Sequence, residues 1–339
     1  MTGLAWHTGP HMEPEVVLPD GRHTEAAEFF EQVARAFCSS ATSLLSDRKM
    51  AEPEVRIVAA SNIMEVAAAE GERLGLQPDR RLGVERVGGV VGGKCLISDD
   101  RRRASIIVAD YAATASDAPS RLIAAALLGH EVGHLIYGLI RGAEIGIFPN
   151  VWKPWEVAGM IAVLAAEEYR VDVLGQVLAE RTLLPTDDSG APVSLADISG
   201  SGYRSGLKGA LDEISPKLEG TILAYRLHRL SLDELWNAMA RTSEGIALYL
   251  AHTEAHTKQA ALAIEGVAHR GAHLLEPFWR PLFAYLRQAP MVPPATEWSA
   301  DRKRLIEIGR AGYMEAWRRL GVAARPQGEG FFLSVFDPE

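Results

Sequence analysis

Leu128-Gly129-His130-Glu131-Val132-Gly133-His134-Leu135-Ile136 is the stretch on which the reading of this chain turns. Its flanks are apolar, IAAALL before Gly129 and LIYGLI after His134. The spacing predicts a helix over about 120–140 that is apolar nearly all round. Residues four apart on a helix stand one above the other, so His130 and His134 can point at one ion. Glu131 leans to the side of that ion, where it can take a proton from a bound water. Ionisable groups in a buried helix are costly without such a role. Gly133 removes a side chain where another helix could approach. The pattern is two-thirds of a zinc site, and Zn2+ is the expected metal.

A catalytic zinc site usually takes three protein ligands and keeps one position open. The residues after His134 hold no third histidine, which excludes H-E-x-x-H-x-x-G-x-x-H. The next acidic cluster is Glu167-Glu168-Tyr169-Arg170-Val171-Asp172, on a helix predicted over about 155–181 after Pro154. Glu168 and Asp172 share a helix face. One could bind the metal while the other takes the distal N–H of a ligand histidine. Glu167 projects about 100° away and can pair with Arg170.

H-E-x-x-H on one helix with E-x-x-x-D on a later one resembles the gluzincins. It is more closely similar to the ImmA/IrrE-type minimal zinc metallopeptidases, in which a short sheet leads into LxHExGH and a second helix reads E-x-x-A-D before an apolar stripe. The equivalents here are Leu128 to His134 and Glu168-Tyr169-Arg170-Val171-Asp172, then Val173-Leu174 and Val177-Leu178. The resemblance covers roughly residues 50–185. It implies His130, His134 and Glu168 as ligands, Glu131 as general base and Asp172 as the residue that orients a ligand. It also implies that strand Ala104 to Ala109 is an edge strand pairing with extended substrate. Val171 departs from the usual Ala, and an extra loop runs from Gly142 to Pro154. No helix-turn-helix segment is seen, and the C-terminal half has no counterpart. The implied activity is zinc-dependent hydrolysis of a peptide or protein substrate, or of a small amide. The alternative is a non-proteolytic metalloenzyme or metal-binding regulator acting on a small molecule, since two histidines and a carboxylate also suit Fe(II). A purely structural staple would have no use for Glu131.

Outward from the motifs, the expected class is α+β, mostly α: a zincin-like core with a small sheet plus a helical C-terminal region. Residues 1–48 read as an N-terminal arm and helix, 49–190 as the metallopeptidase core, and 191–339 as the helical region. Thr24 caps a helix with Ala27, Phe30, Val33, Ala34 and Phe37 on one stripe. Val55 to Val58 is a short strand, and Ser61 caps a helix that Gly75 ends. Val87 to Ile97 and Ala104 to Ala109 are strands joined by a turn at Asp99 to Arg103. Residues 184–201 form a loop cluster and the candidate domain boundary. Helices follow over about 203–217, 219–229, 231–241, 243–269, 276–288 and 296–320.

Two further histidine pairs have helical spacing, His252/His256 and His269/His273. His252 or His256 is the preferred candidate for an imidazole that stabilises an oxyanion, because Ile246, Ala247, Tyr249 and Leu250 give its helix an apolar face. Glu254 faces another way. Tyr169, Tyr225 and His228 are weaker candidates. Trp152, Trp155, Trp236, Trp279, Trp298 and Trp317 read as core anchors. Gly88 to Lys94 satisfies G-x-x-x-x-G-K, but Cys95 follows where a P-loop needs Ser or Thr and a helix, so a glycine-rich strand is expected.

With 339 residues, 47% of them apolar, the chain can bury a sizeable core. A net charge of −9 argues against nucleic acid as a partner. Arg101-Arg102-Arg103 reads as a charged turn. The two cysteines, Cys38 and Cys95, form no CxxC, which excludes a disulfide framework and a thiolate zinc site. The N-terminus lacks a secretory pattern, and charge breaks the apolar runs short of the roughly 20 residues of a membrane span. No membrane partner and a cytoplasmic location are expected. The sequence carries no signal for an oligomeric state.

Overall fold

The arginine-rich turn closes a hairpin. Ser98 N donates to Arg103 O at 2.9 Å, Ser98 Oγ to Asp100 at 2.6 Å, and Arg101 takes a positive φ of 58°. Its strands are two of the elements in a computed structural model that describes residues 12–18, 24–47, 50–76, 85–86, 89–90, 92–141, 153–183, 195–257, 270–294 and 296–337. In chain order the elements are β1 (Glu15–Val17), α1 (Glu25–Ser46), β2 (Glu54–Ala60), α2 (Ile63–Arg73), β3 (Glu85–Arg86), β4 (Gly89–Val90), β5 (Gly93–Ile97), β6 (Arg103–Ala109), α3 (Tyr111–Thr114), α4 (Ala118–Arg141) and α5 (Pro154–Leu183). There follow α6 (Leu195–Arg226), α7 (Leu232–Thr257), α8 (Arg270–Leu286), α9 (Trp298–Arg319), β7 (Val322–Gln327) and β8 (Gly330–Val335). The fold is α+β and mostly α.

Two compact units divide the chain. The first comprises Met1–Val84, Val91–Ile145 and Leu174–Val193; the second comprises Glu85–Val90, Gly146–Val173 and Ser194–Glu339. Helix α5 contributes to both.

In the first unit a four-stranded sheet runs β1-β2-β6-β5, parallel except where β5 meets β6. Residues 104 to 108 of β6 are buried throughout, because helices cover both faces of this central strand. On one face Val58, Ala60, Leu96 and Ile107 pack on Ile63 and Ala67 of α2. By the two-residue alternation, Gly93, Cys95 and Ile97 look to the other face, where α4 lies. Ile97 fills the gap left by Gly138, and the backbone at Gly92 meets Leu127. Five strand residues and eleven helix residues each span about 16 Å, so β5 tracks α4 along its length.

In the second unit the apolar centre is aromatic. Phe278 stacks on Tyr313 at 4.1 Å between ring centroids, and Trp236 meets Trp317 edge-on at 4.9 Å. Ser243 on α7 accepts from Tyr313 Oη through its carbonyl, at 2.8 Å, and from Trp317 Nε1 through its hydroxyl, at 3.0 Å. Burial holds the Tyr313 phenol well above its ordinary value. Trp236, Trp279 and Trp317 are buried as expected; Trp155 and Trp298 are half-buried, and Trp152 lies outside the described residues.

Several expectations are corrected. Ala104–Ala109 is the inner strand of the hairpin, and β5 holds the sheet edge among the described residues. The stretch expected as one strand from Val87 to Ile97 contains β4 and β5, with β4 paired to β3 in a separate ribbon. Asn62, not Ser61, caps α2, accepting from Glu65 N at 3.2 Å. The N-terminal arm supplies β1, whose short Val16-Val17 pair adds to β2. Residues 195–201 are helical rather than loop. The two helices expected over 203–229 are one, α6, which continues through Pro216. Likewise 231–257 holds one helix, and 258–269 lies outside the described residues. The β7–β8 hairpin was not foreseen.

Helix Ala118–Ile140, though interrupted by Arg121 and Glu131, is long and apolar enough to cross a membrane by length and composition; 61% of its most apolar window is buried within the fold.

Candidate metal centre

His130, Glu131 and His134 lie at the middle of α4. The i, i+4 spacing brings the two imidazoles together edge to face, with ring centroids 4.7 Å apart. Their Nε2 atoms stand 3.1 Å apart. Two ligands held 2.0–2.1 Å from a tetrahedral ion stand about 3.3 Å from each other, so the pair fits one zinc ion.

Glu168 comes from α5, and a glycine pair sets the course of that helix. A Cβ on Gly129 would stand 2.8 Å from Gly175 Cα, and a Cβ on Gly175 would stand 2.7 Å from His130 N. Gly129, one residue before the first histidine, is therefore a point of close helix approach. Glu168 precedes Gly175 by seven residues, about 10 Å along the axis. Ligand atoms of His130, His134 and Glu168 all lie within 4.8 Å of one another, and these three residues can hold a metal ion. Two imidazoles and a carboxylate form a donor set that suits a divalent transition metal such as zinc or iron.

Glu131 is 3% exposed, and its Oε1 lies 4.0 Å from His130 Nε2. The carboxyl rests on β5: a Cβ on Gly93 would stand 2.7 Å from both Glu131 Cγ and Oε1. Glu131 thus occupies the space that any other residue at 93 would claim. Nothing in the reading of Gly88 to Lys94 singled out Gly93. The signal available was the alternation that turns 93, 95 and 97 toward α4.

Asp172, one turn beyond Glu168, is 6% exposed. Its Oδ2 receives His252 Nδ1 at 2.5 Å and lies 3.6 Å from His256 Nε2. His252 Nε2 in turn stands 3.8 Å from Glu168 Oε2. The preferred distant imidazole therefore lies beside the acidic pair of α5, while His256 is buried behind it at 5% exposure. Glu254 does face elsewhere: buried, it pairs with Arg287, whose Nε donates at 2.9 Å. Tyr169 packs on Phe283 at 6.2 Å; burial, with Glu254 adding to it, raises its phenol, which suits a packed neutral side chain. Tyr225 is half-buried and His228 exposed. His269 and the side chain of His273 lie outside the described residues.

Arg170 reaches beyond its own helix. Nη1 and Nη2 reach the two oxygens of Asp301 on α9 at 2.8 and 2.6 Å, and Tyr285 Oη donates to Asp301 Oδ1 at 2.7 Å. Arg170 is 3% exposed and Asp301 8%. Burial and the Asp301 carboxylate push the Tyr285 phenol up to about 12. A two-pronged guanidinium–carboxylate pair thus fixes α5 midway between Glu168 and Asp172.

Comparison of the chain with protein-family models, with curated proteins and with solved structures returns no match.

Proposed function

We propose that this protein is a zinc-dependent hydrolase of the gluzincin type, acting as a peptidase on amide bonds. The observation that carries the reading is the grouping of His130, His134 and Glu168 with the Glu131 carboxylate beside them. A zinc ion held by those three residues would supply Lewis acidity, polarising the scissile carbonyl and acidifying water.

The remaining steps belong to side chains of the chain. Glu131 accepts the proton of the attacking water and hands it to the departing amine. Its burial against Gly93 keeps the carboxylate in one place during both transfers. His252, donating Nδ1–H to Asp172, can in its doubly protonated form offer Nε2–H to the oxyanion of the tetrahedral intermediate. Strand β5 provides an extended backbone next to Glu131 along which a peptide can align.

Metal analysis of the protein and cleavage of a peptide library by wild type and Glu131→Gln test the reading. Zinc in both proteins, with cleavage in the wild type alone, is the expected result. A Glu131→Gln variant that cleaves as fast as wild type would sink the assignment of the base. Iron in place of zinc, without peptide cleavage, would favour a non-proteolytic enzyme built on two histidines and a carboxylate.

A further inference from the structure

The ribbon of β7 and β8 has one blunted edge and one open edge. Among the described residues these strands pair only with each other. Phe336 N donates to Gly321 O at 2.8 Å, in register with Val322 opposite Val335. Bonded and non-bonded pairs alternate along an antiparallel ladder. The bonded pairs of the ribbon are therefore Ala323–Ser334, Arg325–Phe332 and Gln327–Gly330. The backbone N–H and C=O groups of Phe331, Leu333 and Val335 point away from β7, while those of Val322 and Ala324 point away from β8. Pro326 shares the outer edge of β7 and has no N–H, which blunts that edge. Nothing of the kind interrupts β8. The run Gly330-Phe331-Phe332-Leu333-Ser334-Val335-Phe336 holds neither charge nor proline. Such a run on an edge strand is a template for another strand.

The solvent face beside this edge is apolar. Phe332 is 42% exposed and Phe336 37%. Arg226 on α6 holds the end of β8, donating to Phe336 O and, at 2.8 Å, to Asp337. Leu223 and Leu227 share a face of α6 with Arg226, and each is more than half exposed.

We propose that two copies of this chain join through β8, edge to edge and antiparallel about a two-fold axis at Leu333, so that their ribbons become one sheet. The strand is self-complementary in that register. Phe331 stands opposite Val335 of the second copy, and Leu333 opposite Leu333, so the outward amides bond across the axis. Phe332 stands opposite Ser334 of the second copy and diagonal to its Phe332, within aromatic reach. Phe336 stands opposite Gly330 of the second copy, where its ring covers the bare backbone. Both members of every contact come from the run Gly330 to Phe336, and none of them is charged. Arg325 lies over Phe332, one strand further out. Three strand spacings, about 14 Å, part it from its copy, beyond the screening length of physiological salt.

Sedimentation velocity of the full chain over about 1–100 µM, which brackets a weak pairing, tests the proposal. Wild type should pass from monomer to dimer. Over the same range the amides of Phe331, Leu333 and Val335 should gain protection from hydrogen exchange. Phe331→Pro blunts β8 as Pro326 blunts β7, and leaves the bonds to β7 in place. Phe332→Glu removes the aromatic contact at the axis while giving Arg325 a carboxylate partner. Both should remain monomeric where wild type is dimeric, with an unchanged circular dichroism spectrum; Phe332→Glu keeps the test decisive if Phe331→Pro misfolds. Mixing Phe332→Glu with Ser334→Lys should restore a dimer, because these positions face each other in the stated register. A wild type monomeric throughout, a Phe332→Glu variant that associates like wild type, or a dimer whose β8 amides gain no protection would overturn the proposal. So would a mixture that associates no better than its components.

Discussion

His252 Nδ1 stands 2.5 Å from Asp172 Oδ2, while the far nitrogen of the same ring is 3.8 Å from Glu168 Oε2. One imidazole thus spans two carboxylates on successive turns of α5. A carboxylate behind a histidine fixes its tautomer and orientation. Replacing His252 with Ala should lower kcat about 10²–10³-fold with little change in KM or zinc content, as expected for a group that acts on developing charge. Asp172→Asn should cause a smaller loss in the same direction. Steady-state kinetics with metal analysis checks both, and an unchanged kcat in His252→Ala would remove the residue from the mechanism.

The carboxylate ligand can be tested apart from catalysis. Glu168→Ala leaves two imidazoles, and its zinc affinity should fall at least about 100-fold, beyond the usual effect of losing an outer partner. Competition with a chromogenic chelator measures it. Retention of zinc at wild-type affinity would exclude Glu168 as a ligand.

Gly93 should tolerate no side chain. Gly93→Ala brings a methyl group within 2.7 Å of Glu131 Cγ and Oε1. The carboxylate must then shift, and turnover should fall about 100-fold while zinc affinity stays near wild type. Near-normal turnover would show that Glu131 has slack against β5.

The Arg170–Asp301 pair is buried and two-pronged. Removing one partner strips the buried guanidinium of its two-pronged carboxylate, so Asp301→Ala should cost about 3–5 kcal/mol in unfolding free energy. Chemical denaturation reads this directly. Tyr285, which shares the Asp301 oxygen, should couple non-additively to it in a double-mutant cycle.

Acid should loosen the first unit through Glu70. Burial alone would raise this carboxyl, but hydrogen bonds from Ser105 Oγ at 2.6 Å and Arg73 Nε at 2.7 Å, with the charges of Arg73 and Arg56, outweigh it and hold the carboxyl below its ordinary value. A folded value that is depressed gives a contribution that is complete above the ordinary carboxylate range and is lost as pH falls through the folded value. Glu70→Gln should therefore cost about 2 kcal/mol at neutral pH. The gap from wild type should close as pH falls below the ordinary carboxylate range, in urea titrations across pH. A gap independent of pH would contradict the ion pairing.

Much of this was legible in the sequence because it depends on local period. The spacing of His130 and His134, and of Glu168 and Asp172, needs only a helix to be read. The pairing of β5 with β6 is announced by two strand-forming runs on either side of a charged turn. Less legible were features set by partners far along the chain. Pro216 signals a break by its missing donor, yet α6 continues, because packing overrides local preference. The β7–β8 hairpin has weak alternation, and only Leu320 and Gly321, the latter at a positive φ of 82°, separate it from the preceding helix. That Arg170 reaches Asp301, 131 residues away, is likewise decided by packing. Gly93 matters through one close approach to Glu131 that no spacing rule encodes.

The meeting of Gly129 and Gly175 is the point about which any tilt of α5 against α4 would turn. His130 sits at that point, so a small rocking of α5 on α4 scarcely moves it. Glu168 is at the end of an arm of about 10 Å, where a rocking of 10° becomes a displacement of about 2 Å. A bulkier residue at Gly129 would thus press on Gly175 and shift the carboxylate arm, whereas one at Gly175 would press on His130 N itself.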